Sequence, residues 1–477
     1  MAQDNSELKP AICVIGAGPG GLAVAAASAG VGASTVLVEK GRMGGENLRH
    51  GGVPAHALLA AADCANMARS AARFGIRAPR LTVDFGAINA HVHNVIAGAA
   101  PNASRERFVG LGVRVVEGAA RFTDPRTVMV GDVAIRARRF VIATGSVPRI
   151  PTIPGLQATP HLTEATVFDL ADVPRHLLVL GAGALGLELA QVFRRLGSEV
   201  TVLEAATPLA SADAEAAAVV LEALRREGIV LRSGVQIAKI ARALARVQIV
   251  LATESGEETV EGSHLLVTAG RRPNIDDLDL HAAGIRTTAD GIVLDRVLRT
   301  TNKRVYAVGD AAGGLHAAHV ANYHANLVFR HALFRVPGRV DHEILPWVTR
   351  TDPELAQVGL LEEEARAHAG VIRVLRWPYR ENDRALAERA TEGHIKIITD
   401  RTGEILGATI VGRNAGEAIT AWTLAVSQKL NIRAFASLVV PYPSYAEVGK
   451  RAAISFFSRR LTIPRARRII RWLRRFR

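Results

Sequence analysis

The sequence predicts an α/β protein built around two Rossmann-like dinucleotide-binding domains. A glycine fingerprint between a strand pattern and a helix pattern occurs twice, and each copy is followed by a second apolar strand pattern that closes on glutamate. Length agrees: 477 residues exceed what one hydrophobic core supports, so several domains are expected.

The first copy is AICVIGAGPGGLAVAAASAGVGASTVLVEK. Gly16 permits the tight turn after the strand, Gly18 lets backbone approach a pyrophosphate, and Gly21 lets helix pack on strand. The helix then points its positive end at the phosphates. Glu39, followed by Lys40, closes the second strand, where a carboxylate can accept hydrogen bonds from a ribose 2′-OH.

The second copy is HLLVLGAGALGLELAQVFRRLGSEVTVLEAA, with Gly181, Gly183 and Gly186 at the turn and Glu204 at the strand end. A carboxylate there repels a 2′-phosphate, which favours NAD(H) over NADP(H). Two fingerprints mean two bound dinucleotides and hence electron transfer between them.

Composition narrows the classes. No run approaches the ~18 apolar residues of a membrane-spanning helix, and the polar start MAQDNSELKP lacks a signal-peptide layout, so a cytoplasmic location is expected. Cys13 and Cys64 are the only cysteines. Cys13 sits in the apolar run AICVIG and Cys64 in an Ala-rich helical pattern, so both read as packing residues, and no cysteine metal site is expected.

The net charge of +14 is concentrated at the end of the chain. Arg459, Arg460, Arg465, Arg467, Arg468, Arg471, Arg474, Arg475 and Arg477 crowd residues 459–477. Ala466, Ile469, Ile470, Leu473 and Phe476 fall on one helical face and the arginines on the other. Such a tail suits contact with an acidic partner or the inner face of an anionic membrane, and equally suits packing on its own dimer. With no binding module elsewhere, nucleic acid is not expected.

Beyond these fingerprints the chain resembles the pyridine nucleotide-disulfide oxidoreductases, the flavoproteins that include dihydrolipoamide dehydrogenase and mercuric reductase. RFVIATGSVPRIPTIPGL, with Ala143, Thr144 and Gly145, is similar to the family's junction between its FAD and NAD domains. LLVTAGRRPNIDDLDL, with Gly270, matches the end of the NAD domain. VYAVGDAAGG, with Gly309 and Asp310, matches the second FAD motif, and PWVTRTDPELAQVGLLEEEA the start of a dimerisation domain. RENDRALAE and the PYP near the end bring it nearest to the dihydrolipoamide dehydrogenase and mercuric reductase branch.

The resemblance implies FAD and NAD(H) as cofactors, a homodimer, and a third, α+β dimerisation domain. It places the FAD domain at 1–150 and 275–343, the NAD domain at 151–274, the dimerisation domain at 344–458 and the basic tail at 459–477.

Two departures stand out. The family's redox motif runs G-G-(T/D/E)-C-x-N-x-G-C-x-P-S-K. Aligned on Gly44, Gly45, Gly51 and Pro54, GGENLRHGGVPAHALL carries Asn47 and Gly52 at the two cysteine positions and His56 at the lysine. Glu188, the carboxylate that accompanies that lysine, is kept. His56 then either pairs with Glu188 on the flavin side or fills space as a neutral histidine.

Near the C-terminus, the resemblance expects a histidine acting on the thiols, oriented by a glutamate. VVPYPSYAE has Val440 and Tyr442 at the two histidine positions and keeps Glu447. Tyr442 reads as a donor to an acceptor molecule or as a packed interface side chain. His316, His319 and His324 lack the i, i+4 spacing of a helical metal site, so no metal is expected and flavin-side or surface positions are.

The expected function is an FAD-dependent NADH oxidoreductase that passes electrons from the flavin directly to a small quinone-like or dye-like acceptor. Disulfide reductase activity is not expected. The alternative is a catalytically silent FAD- and NAD-binding sensor or scaffold.

Overall fold

The computed structural model describes residues 7–77, 81–244, 246–254 and 256–461. The chain divides into two compact units, one of residues 1–181, 192–200 and 235–340, the other of residues 182–191, 201–234 and 341–477.

The first unit is organised by a five-stranded parallel sheet, in the order Val305–Ala307, Arg139–Ile142, Ile12–Ile15, Thr35–Glu39, Val113–Glu117. Its inner strands Arg139–Ile142, Ile12–Ile15 and Thr35–Glu39 are mostly apolar because both faces are covered, whereas the edge strand Val113–Glu117 exposes Arg114 and Glu117. Successive residues serve opposite cores: Cys13, Ile15, Val36, Val38, Phe140 and Ile142 pack on one side, Ile12, Val14, Leu37 and Val141 on the other. That alternation is the period of a strand. Helices Pro19–Gly30 and Ala318–Phe334 contribute Val24, Ala25, Ala325 and Val328 to the second core. The first core is closed by Phe122, Val128 and Ile135 of a separate four-stranded sheet. The unit also contains the parallel pair His176–Leu180 and His264–Val267 and a three-stranded antiparallel sheet spanning 236–262.

Cys13 is fully buried in the central strand. Burial pushes its thiol far above the usual range, so it is inert packing. Cys64 is exposed on the helix Gly52–Ser70.

The second unit holds a five-stranded antiparallel sheet, in the order Trp347–Thr349, Glu354–Gly359, Ile405–Gly412, His394–Asp400, Ile372–Pro378. The helices Ala415–Ser427 and Glu447–Leu461 pack with it around Ile395, Ile397, Ile410, Ile419 and Trp422. The expected combination of dinucleotide-binding α/β layers with a C-terminal α+β part is what the chain forms. No helix among the described residues is long and apolar enough to cross a membrane. Apart from the residues that finish the last helix, the basic tail lies outside the described residues.

Candidate functional site

At the first glycine turn, three glycines meet three different demands. Gly16 has φ +105, and a β-carbon on it would stand 2.4 Å from the Ala143 carbonyl oxygen, so only glycine fits. A β-carbon on Gly21 would stand 1.9 Å from the Gly16 oxygen, which is the close helix–strand contact. A β-carbon on Gly18 would meet nothing within 4 Å. Gly18 is thus not demanded by the protein's own packing. It caps helix Pro19–Gly30 without a side-chain hydrogen bond, and that helix has no acid in its first turn. A helix N-terminus with no side-chain cap and no acid in its first turn suits an anion.

Glu39 braces the turn. One carboxylate oxygen accepts the Ala17 N–H at 2.6 Å and the other the Gly41 N–H at 2.8 Å. Lys40 makes an exposed pair with Asp277 at 3.3 Å. Beside Glu39 opens a cavity of about 770 Å³ that also takes in Arg42, Arg49, Ser104, Arg105 and Glu117.

The second turn repeats these features. Gly181 has φ +109 and its β-carbon would stand 2.6 Å from the Thr268 oxygen, while Gly183 again faces open space. Gly186 is buried. Glu204 accepts the Ala182 N–H at 2.7 Å and the Ala206 N–H at 2.9 Å. Open glycines and strand-end carboxylates fit a dinucleotide at each turn.

The stretch that follows the first strand pair is folded against the glycine turn. Gly44 donates its N–H to the Ala17 carbonyl at 2.9 Å, and a β-carbon on Gly45 would stand 2.7 Å from the Gly18 Cα. Asn47 lies in helix Gly45–Arg49 and Gly52 opens helix Gly52–Ser70. The Asn47 Oδ1 lies 2.6 Å from where a β-carbon on Gly52 would sit. His56 is exposed, one turn further on, with its Nδ1 2.8 Å from the Gly52 carbonyl.

Glu188 belongs to the second unit, where its Oε1 accepts the Arg350 N–H at 2.6 Å. Burial lifts its carboxyl to about 7; the Arg350 hydrogen bond and charge oppose this and the nearby Glu354 adds to it.

Ala143 donates its N–H to the Ile15 carbonyl at 2.8 Å and thereby fixes the Ala143–Thr144–Gly145 segment beside the first turn. Asn274 holds the same segment through the Gly145 and Thr144 carbonyls. Gly270 accepts the Arg149 N–H at 2.9 Å. The Gly309 N–H donates to the buried His324 Nδ1 at 3.3 Å, which gives that histidine a place behind the second motif.

Asp310 accepts the Ser146 hydroxyl at 2.6 Å and has His316 Nδ1 at 3.4 Å. Burial raises its carboxyl, but the His316 and Ser146 hydrogen bonds and the His316 and Arg271 charges outweigh it, so the net shift is downward.

Arg271, the centre of this cluster, lies inside the motif LLVTAGRRPNIDDLDL but is not among the site residues that the sequence singles out. Arg271 forms ion pairs with Glu46 and with the buried Glu164, donates to the Ser146 hydroxyl at 2.7 Å, and lies 4.0 Å from Asp310. Burial raises the Glu46 carboxyl; Arg271 pulls it down while Glu164 and Asp310 push it up, and the net shift is upward. The signal available was positional: Glu46 precedes Asn47 and Arg271 follows Gly270.

In the second unit, Tyr442 is 71% exposed and donates its hydroxyl to Asp383 Oδ2 at 2.9 Å. That hydrogen bond, with the Asp383 charge, raises the phenol above its usual range. Glu447 starts the last helix with Oε1 3.8 Å from Arg451; its Oε2 is buried and accepts no hydrogen bond among the described residues.

Two dinucleotide turns on one chain, together with an Asp310 motif and a separate antiparallel domain, define a class of two-nucleotide oxidoreductases. The chain belongs to the pyridine nucleotide-disulphide oxidoreductase family: the family's main region matches residues 10–325 and its dimerisation domain residues 345–453. Members of this family are oxidoreductases that bind FAD and NAD(P)H.

The chain is 36% identical to a mercuric reductase of Streptomyces lividans over 94% of its own length and 96% of that protein. It is 32% identical to a dihydrolipoyl dehydrogenase of Geobacillus stearothermophilus, covering 92% and 94%. Among solved structures, LpdA of Mycobacterium tuberculosis superposes with a TM-score of 0.85 at 28% identity, covering 94% of this chain and 99% of that one. The HOCl-induced flavoprotein disulfide reductase RclA of Escherichia coli does so at 0.83 and 25%, covering 94% and 99%.

Proposed function

We propose that this chain is an FAD-dependent oxidoreductase that takes electrons from NADH and delivers them to a small quinone-like or dye-like acceptor without a redox disulfide. The observation that carries the reading is the pairing of Asn47 with Gly52 at the positions where the family resemblance expects thiols. The chain's two cysteines offer no substitute, since Cys13 is buried in the central strand and Cys64 is exposed on a helix.

The first turn holds FAD in this reading: Gly18 leaves room for the pyrophosphate, the helix N-terminus receives its charge, and Glu39 receives the ribose. Asp310, kept ionised at neutral pH by its lowered pKa, accepts hydrogen bonds from ribityl hydroxyls. The second turn holds NADH, with Gly183 open to its pyrophosphate and Glu204 taking its 2′-OH and excluding a 2′-phosphate. Bound FAD supplies the two-electron carrier between nicotinamide and acceptor. The Arg271–Glu46 ion pair positions the Asn47 helix, and His56 stands on the side that the acceptor approaches.

An FAD domain at 1–150 and 275–343, an NAD domain at 151–274, a homodimer formed through residues 344–458, and Tyr442 and Glu447 as interface groups contributed to the partner belong to the same reading. So does attachment of the tail to an acidic surface.

The test is an anaerobic titration of the purified protein with NADH, following the flavin absorbance band, before and after thiol alkylation. The band should bleach, recover on addition of a quinone, and do so equally after alkylation. Loss of turnover on alkylation would restore a thiol route. FAD that stays oxidised under excess NADH would make the protein a silent sensor or scaffold.

A further inference from the structure

Arg49 ends the helix Gly45–Arg49, between Asn47 and Gly52, where the family's redox motif carries asparagine. Its guanidinium is poorly served by the protein. Nη2 reaches only the Met43 carbonyl at 3.4 Å, and Nε is buried with no hydrogen-bond partner among the described residues. No carboxylate among the described residues forms an ion pair with Arg49, whereas Arg105 in the same cavity is paired with Glu117 at 3.4 Å. Arg49 as a whole is half-buried; the buried N–H of a cation left unpaired is costly, and an anion relieves that cost.

Arg49 lines the cavity of about 770 Å³ together with Arg105 and the carboxylates of Glu106 and Glu117. Glu39, bound to the Ala17 N–H of the glycine turn, forms one wall, and the exposed Arg42 lines it as well. The cavity is thus joined to the glycine turn through Glu39, although no residue of the turn itself lines it. A guanidinium presents a planar fork that matches phosphate oxygens two at a time, which the asparagine of the family motif cannot do with charge.

We propose that Arg49 is a phosphate ligand of the flavin nucleotide, a cation at the position where the family's motif carries asparagine, gripping the diphosphate of the ADP half from the segment left without thiols. This rests on the assignment of FAD to the first glycine turn. The segment that elsewhere presents the redox pair here serves to hold the cofactor.

The experiment strips the flavin from the full-length protein and titrates the apoprotein with FAD and with ADP at several salt concentrations, for wild type, Arg49→Gln and Arg49→Lys. NADH binding is measured on the same preparations. Arg49→Gln should weaken FAD about 10- to 100-fold, weaken ADP by a similar factor, and flatten the salt dependence, with NADH binding unchanged. Arg49→Lys should fall between, because it keeps the charge and loses the fork.

FAD affinity and salt slope equal to wild type in either variant overturn the proposal, as does a loss for FAD that ADP does not share. Should Arg49→Gln fail to fold, Arg49→Lys decides by the same criteria. A wild-type apoprotein that binds no FAD refutes the cofactor assignment itself, which separates that failure from failure of the Arg49 role.

Discussion

The Asn47 side-chain oxygen occupies the space beside Gly52, 2.6 Å from the position of a β-carbon there. The two positions therefore face each other across the link between their helices, and the Asn47 amide fills what a second side chain would need. Gly52 itself is not in the left-handed region, so its backbone accepts a side chain once Asn47 yields. Gly52→Cys alone should destabilise the fold by about 1–2 kcal/mol through overpacking. Asn47→Cys with Gly52→Cys should relieve that cost and close a disulfide. Thiol titration of the unfolded double variant should find the two native cysteines before reduction and the introduced pair only after it. An introduced pair that stays reduced in air would show that the facing geometry is wrong.

The glycine turns make a sharper division between folding and binding. Gly21→Ala places a methyl 1.9 Å from the Gly16 oxygen and should cost about 3 kcal/mol or prevent folding. Gly18→Ala places it in open space with the residue already extended at φ −77. Its effect on the apoprotein should stay within about 1 kcal/mol, while FAD affinity falls at least tenfold because the methyl stands where the pyrophosphate approaches. Thermal unfolding and FAD titration of the two variants read this out. A Gly18→Ala protein that keeps FAD places the nucleotide elsewhere.

These turns were legible in the sequence because their demands are local: strand, turn and helix lie within about thirty residues, and each glycine's role follows from backbone geometry. The charged centre of the site was not. Arg271 reaches Glu46 across 225 residues and Glu164 across 107, and only the folded sheet brings them together. The resemblance to the family's redox motif likewise pointed to positions 47 and 52, but not to the Asn47 amide filling the gap. Arg49 reads in the sequence as one more surface cation; its orphaned Nε appears only when burial is known.

The same holds for Lys396, whose ammonium is met by Asp213 at 2.8 Å, Glu362 at 2.9 Å and Glu215 at 3.0 Å. Lys396 and Asp213 are each 5% exposed, and Asp213 also caps helix Ala214–Arg226 by accepting the Glu215 and Ala216 N–H groups. Lys396→Met leaves that carboxylate buried without its cation and should cost about 3–5 kcal/mol. Arg376 pairs with Glu215 at the surface, 43% and 46% exposed, so Arg376→Met should cost no more than about 1 kcal/mol. Adding Asp213→Asn to Lys396→Met should recover part of the loss. Denaturant unfolding of the variants at one protein concentration measures the ranking, and equal costs for the two cations would contradict the burial argument.

Glu188 supplies a pH dependence whose sign is fixed by its surroundings. Burial raises its carboxyl from an ordinary 4.5 to about 7, so the folded chain holds that proton more tightly than the unfolded chain does. The stability this contributes is fully present below about 4.5, declines as pH rises, and is lost once pH passes about 7. Each tenfold difference in proton affinity between the folded and unfolded chain is worth about 1.4 kcal/mol, so the loss across the window is on the order of 3–4 kcal/mol. Glu188→Gln keeps an oxygen to accept the Arg350 N–H and removes the ionisation. Urea unfolding from pH 5 to 8 should therefore show wild-type stability falling relative to Glu188→Gln, with the variant the more stable of the two at pH 8. Parallel curves across that range would mean that the carboxylate keeps enough water or cationic company in the native protein to ionise at its ordinary pH.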